Sequence, residues 1–139
     1  MEKIDFSNVE AFTPITADGY YVLKISGYET GTSEMKGTPY IRFKCVTESN
    51  ESINVTFYMS EKALWRFKKF MMTLDYEMNG VLDPEELAKT AVGKKFVGTV
   101  RRCAPSIDPA TGEEVESKYF EVTDFAREVD RKTDKDLPF

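Results

Sequence analysis

The chain has 139 residues, 41% of them hydrophobic and 31% charged, which is enough for one domain to bury a core without metals or disulfides. It has no histidine, which removes His-based nucleophilic triads, His metal ligands and the usual general base near neutral pH. The formal net charge of -5 divides into -4 over residues 1–35, +4 over 36–102 and -5 over 103–139, so an acidic chain has a basic middle that permits a polyanionic partner.

Residues 1–18 form a mixed lead-in ending in the turn-rich run TPITAD. Acids stand where a secretion signal would be basic, and no apolar run is long enough to span a bilayer. No membrane association and a cytoplasmic location are therefore expected. Over 19–28, GYYVLKISGY alternates, with Tyr21, Leu23 and Ile25 on one face and Tyr20, Val22, Lys24 and Ser26 on the other. A period of two predicts a strand. ETGTSEMKGT then reads as a ten-residue polar connector.

Over 40–47, YIRFKCVT alternates again, with Ile41, Phe43 and Cys45 inward and Tyr40, Arg42 and Lys44 outward. After the turn ESNES, the strand over 53–59 places Ile53, Val55 and Phe57 inward. The two strands form a hairpin. The period then changes to that of a helix, with Ser60 as N-cap and Leu64, Phe67, Met71 and Leu74 on one stripe. Asp83-Pro84-Glu85-Glu86 predicts a second, short helix, capped by Asp83 and ended by Gly93. Strands follow over 95–103 and 117–125, joined by the Pro- and Gly-containing loop PSIDPATGEEV. In the last strand Phe120 and Val122 oppose Tyr119, Glu121 and Thr123.

Three strands, a helical section and two strands is the element order of an OB-fold, a five-stranded Greek-key barrel with its helix between strands three and four. The expected organisation is a lead-in over 1–18, an OB-fold domain over 19–126 and a tail over 127–139. In that fold, ligands usually lie across strands two and three. Here that surface carries Tyr40, Arg42 and Lys44 beside Asn54, Thr56 and Tyr58. Cations interleaved with exposed rings suit single-stranded nucleic acid, because the cations follow phosphates while the rings stack on bases. Lys36 in the first connector and Arg101 near the second extend a basic rim. Trp65 and the Lys68-Lys69 pair fall on the helix and read as ordinary helix residues.

Other chemistries have weaker support. Asp75 to Glu86, DYEMNGVLDPEE, fits the twelve-residue calcium loop of an EF-hand at several positions. Glu77 at position three is too long, however, no second copy exists, and Asp83 to Glu86 is already explained as a helix start. Glu113, Glu114 and Glu116 crowd one loop, and Asp130, Asp134 and Asp136 the tail. Neither set sits on the rigid element that metal-assisted catalysis needs. Cys45 and Cys103 match no metal or redox spacing and are expected to be two buried thiols, a bridge being the alternative if their strands are neighbours. No cofactor motif is present, and no enzyme activity is expected.

Taken together, ADGYYVLKI, YIRFKCV, LDPEELAKTAVGKKFVGTV and the terminal DLPF resemble the phage single-stranded DNA-binding proteins. The last four residues, Asp136, Leu137, Pro138 and Phe139, are similar to the Pro-Phe tip of bacterial single-stranded DNA-binding proteins. The resemblance implies sequence-independent coating of single-stranded DNA in phage replication or recombination, with the tip recruiting replication or recombination enzymes. Three Asp between 130 and 136 are offset by Arg131, Lys132 and Lys135, so this tail is less acidic than the bacterial kind. The alternative is a non-catalytic OB-fold adaptor that binds a protein, and a third reading, ranked below it, is a calcium-binding domain through Asp75 to Glu86. Monomer and dimer are both compatible with the sequence.

Overall fold

The computed structural model describes residues 1–5 and 12–127. In chain order these form β1 (Thr13–Pro14), β2 (Gly19–Thr32), β3 (Pro39–Val46), β4 (Glu51–Tyr58), α1 (Leu64–Thr73), α2 (Pro84–Ala91), β5 (Lys95–Arg102), β6 (Ser106–Ile107), β7 (Glu114–Val115) and β8 (Phe120–Ala126). The protein is mainly β. Six strands make one mixed sheet in the order β1-β4-β3-β2-β5-β8, and β6 and β7 pair as a separate small ribbon. Only β1 runs parallel to its neighbour; the other pairings are antiparallel.

The inward residues of the alternating runs are buried as their spacing predicts: Leu23, Ile25, Ile41, Phe43, Cys45, Ile53, Val55 and Phe57. Helix α1 packs beneath them. Its Phe70 ring lies 4.9 Å from Phe57, 4.8 Å from Phe125, 5.0 Å from Phe96 and 5.3 Å from Phe43, and is the hub of the core. Aromatic contacts at these separations add about 0.5–1.5 kcal/mol each beyond simple burial. At Gly98 an added Cβ would stand 2.8 Å from the Leu23 side chain, so β5 and β2 pack closely through the missing methyl.

Several local expectations are corrected. The helix starts three residues late, because the Ser60 carbonyl accepts from the amides of Ala63 and Leu64 in a turn, and Ala63 is the N-cap with no side-chain cap. Leu64 is exposed as a result, and the buried stripe is Phe67, Phe70, Met71 and Leu74. By contrast, Asp83 does cap α2, its side chain accepting from the Glu85 amide at 3.0 Å. The ten-residue connector is shorter than its composition implies: β2 continues to Thr32, leaving a turn over 33–38 closed by Ser33 N–H to Thr38 O. Part of the lead-in belongs to the sheet, since β1 pairs with β4 and Ile15 joins the core. The loop after β5 contains the β6–β7 ribbon.

Two bulges redirect side chains. In β2, Ile25 pairs with Cys45 and Gly27 with Lys44, so Ser26 is an extra residue and the strand's facing inverts beyond it. In β8, Val100 pairs with Val122 and Thr99 with Asp124, so Thr123 is extra. That extra residue turns Phe125 inward, although simple alternation puts it outward with Tyr119, Glu121 and Thr123.

The sheet does not close through a backbone ladder, but β4, beyond its short pairing with β1, approaches the β8 edge. Phe57 and Phe125 are 5.7 Å apart across the gap. Arg66 on α1 donates to Thr56 O on β4 at 3.0 Å and to Val122 O on β8 at 2.8 Å. Its guanidinium also lies 4.8 Å from the Phe57 ring and 5.3 Å from the Phe125 ring. A planar fork with several donors can satisfy two carbonyls that the open seam would leave unpaired.

Candidate nucleic-acid interface

The register of β3 against β4 places Tyr40 opposite Tyr58, Arg42 opposite Thr56 and Lys44 opposite Asn54. All six point away from the core, because each follows or precedes a buried apolar residue on its strand. The two tyrosine rings meet edge to face, with centroids 5.9 Å apart. Tyr58 is 43% exposed, whereas Tyr40 is half-buried because its ring lies over Gly31 of β2. A Cβ at Gly31 would come within 2.6 Å of the Tyr40 hydroxyl, so the glycine makes room for the ring.

Arg42 is held on three sides. Its Nε donates to Thr56 Oγ1 at 3.1 Å, its Nη1 pairs with Glu29 Oε1 at 3.0 Å, and its guanidinium lies 5.0 Å from the Tyr40 ring. Sequence reasoning missed Glu29, which the Ser26 bulge brings to the outer face opposite Arg42. The Gly27 beside that bulge was the only local signal. Both partners are partly exposed, so the pair contributes at most about 1 kcal/mol to stability. Its effect is to halve the charge available to a ligand. Lys44 is exposed and has no ion pair among the described residues.

Lys36 stands on the turn over 33–38, exposed beside Met35. This turn faces Tyr58 and the residues leading into α1 across a groove of about 870 Å³, lined by Met35, Lys36, Tyr58, Glu61 and Lys62 among others. Lys36 therefore joins Tyr40, Arg42, Lys44 and Tyr58 in one region, and Lys62 and Met35 are additions that periodicity could not supply. Arg101 does not join them. It stacks 5.8 Å from Tyr20 and lies opposite Glu121, at the other end of β2 from Gly31 and Tyr40. The eleven residue steps from Tyr20 to Gly31 correspond to about 35 Å of strand contour.

The remaining candidates are used structurally. Asp75 pairs with Arg127 at 3.3 Å, Asp83 caps α2 and Glu86 pairs with Lys89 at 3.3 Å. Three of the calcium-loop positions thus make other contacts, and among the described residues no group of three or more acids or cysteines is arranged to hold a metal ion. Glu116 pairs with Arg102 at 3.0 Å. Burial pushes the Cys45 thiol up to about 12, but Cys103 is only partly buried, which corrects the expectation of two buried thiols. Asp136, Leu137, Pro138 and Phe139 lie outside the described residues. No helix among the described residues is long and apolar enough to cross a membrane. No protein-family model matches the sequence, and comparison with curated proteins gives no match.

Proposed function

We propose that the protein binds single-stranded DNA without sequence preference through the outer face of β3 and β4, as the phage single-stranded DNA-binding proteins do. The observation that carries this reading is the outward-facing Tyr40–Tyr58 pair, Tyr58 exposed and Tyr40 half-buried, with Lys44, Lys36 and Lys62 around it. Rings of this kind stack on bases whatever their identity, and the lysines follow the phosphates. The OB-fold assignment is part of the proposal. In its favour are the element order, the neighbours of β2 on both sides, and an approach of β4 to β8 where a barrel would close. Asp136 to Phe139 would then serve as the contact for replication or recombination enzymes, an apolar tip entering a partner's pocket.

The rival reading, a protein-binding adaptor, draws on the Glu29–Arg42 pair, which lowers the positive charge of the face. Titrating labelled oligo-dT and a duplex of equal length at two salt concentrations separates them. The DNA reading expects salt-weakened binding of the single strand and much weaker binding of the duplex. Absence of binding to both would leave the adaptor.

A further inference from the structure

We infer that a single strand longer than the β3–β4 hairpin covers continues onto α1, where a base stacks on Trp65 and the phosphates beside it meet Lys68 and Lys69. This second subsite rests on the DNA reading and serves the same ligand. By sequence Trp65 and the Lys68-Lys69 pair read as ordinary helix residues, but the fold gives them another setting. Trp65 is 65% exposed and Met72 50%, while the opposite side of α1 buries Phe67, Phe70 and Met71. Tryptophan is highly buried on average, so one left in water on a well-packed helix is unusual. Positions 65, 68, 69 and 72 follow helical spacing, which puts the ring, the two lysines and Met72 on one stripe. They line a groove of about 450 Å³ between α1 and the end of β8.

Continuity and charge select the occupant. The hairpin groove, with Lys36, Tyr58 and Lys62 in its wall, ends at Ala63, the N-cap of α1 and two residues before Trp65. Trp65 is the next exposed ring along the chain after Tyr58. Lys62 and Lys68 flank it three residues to either side, and neither has an ion pair among the described residues. Acids are also present: Glu61 stands beside Lys62, Asp124 holds Lys69 at 2.6 Å, and Asp75 holds Arg127 at 3.3 Å. Each side chain of those two pairs is more than half exposed, so the pairs are weak and a phosphate can take the place of Asp124 on Lys69 at little cost. A ring bracketed by cations is the combination that stacks bases and follows a backbone whatever the sequence. On α1 it is carried by a helix fixed to the core through Phe67 and Phe70, so the subsite is rigid before the strand arrives.

Trp65 is the only tryptophan of the chain, so its fluorescence reports this subsite alone. Labelled oligo-dT of about 4 and about 16 nucleotides brackets what one domain of this kind covers. Both should bind, and only the longer strand should quench Trp65. Trp65→Ala should weaken the longer strand about 5- to 150-fold in anisotropy titrations, the loss of one stacked base, and leave the shorter strand unchanged. Trp65→Phe keeps a ring and should recover most of that loss. Lys68→Ala should lower the magnitude of the salt slope by about 0.7 for the longer strand only. Unchanged Trp65 emission with the longer strand bound, or an unaltered Kd for Trp65→Ala, would overturn the path along α1 and leave the hairpin reading standing. Binding of neither strand would remove both.

Discussion

Replacing Glu29 by Gln should tighten binding of single-stranded DNA. In the free protein the Glu29 carboxylate sits 3.0 Å from Arg42 Nη1, and Arg42 is the most central cation of the β3–β4 face. A phosphate hydrogen-bonded to the same guanidinium would stand about 6 Å from that carboxylate. At this distance two like charges repel by about 0.7 kcal/mol in bulk water and about 2.8 kcal/mol at an effective dielectric constant of 20. Glu29 is 43% exposed at its side chain, so the lower part of that range applies, about 1 kcal/mol or fivefold in Kd. Gln keeps an acceptor oxygen for Arg42, so the guanidinium should stay over Tyr40. The freed cation should also add up to about 0.7 to the magnitude of the salt slope, log K against log salt. Fluorescence anisotropy of labelled oligo-dT at several salt concentrations measures both effects. Glu114→Gln, on the β6–β7 ribbon, changes net charge equally and serves as the control. If Glu29→Gln bound no tighter than that control at every salt concentration, Arg42 would not meet the phosphates.

Tyr58→Ala should weaken oligo-dT binding by about 1–3 kcal/mol with the salt slope unchanged, because a stacking ring is lost and no charge is; a changed slope would show that the substitution disturbs the lysines instead. Arg66→Met keeps the apolar stem between Phe57 and Phe125 but removes two charge-assisted hydrogen bonds to carbonyls. With partial replacement by water the cost should be about 3 kcal/mol, a fall in Tm of roughly 10 °C. A urea melt showing a loss below about 0.5 kcal/mol would mean that the seam does not depend on Arg66. Cys103 should react with a thiol reagent at pH 8 in the folded protein, while Cys45, buried and raised to about 12, should react only after unfolding. Mass spectrometry before and after denaturant counts the modified thiols.

The parts of this fold that the sequence disclosed are those governed by strict periodicity. Every residue assigned inward on the strands over 40–47 and 53–59 is buried, and the outward set emerges on one surface. The Asp83 cap was legible because its signal is local and chemical. What escaped was set by single-residue irregularities. An extra residue at Ser26 or Thr123 leaves the hydrophobic pattern almost intact, yet it inverts the facing of everything beyond it. Glu29 reached Arg42 and Phe125 reached the core by that route. Along α1 the spacing marks Leu64, Phe67, Met71 and Leu74 as the stripe, but Leu64 falls at the first turn after the Ser60 turn and is exposed, while Phe70 is buried. Arg66 joins strands that lie far apart in sequence, and no spacing rule connects Thr56 with Val122.

Charge shows the same limit and yields the last prediction. The middle of the chain carries an excess of four positive charges, which read linearly implies a strongly cationic face. In three dimensions that excess disperses. Lys68 and Lys69 lie on α1, Lys89 on α2, and Lys95, Arg101 and Arg102 on β5. The β3–β4 face keeps Lys44, with Lys36 and Lys62 at the adjoining groove, and shares Arg42 with Glu29. Glu34 and Glu61 share that groove, but Lys36, Lys44 and Lys62 form no ion pair among the described residues. Three cations that each release about 0.7 of a counterion from single-stranded DNA give a salt slope near -2, which full use of Arg42 brings toward -3. Binding through this face should therefore lean on its two tyrosines and weaken only gently with salt. A slope of about -5 or steeper would require cations from α1 or β5 in the path, and the DNA would then run beyond the hairpin.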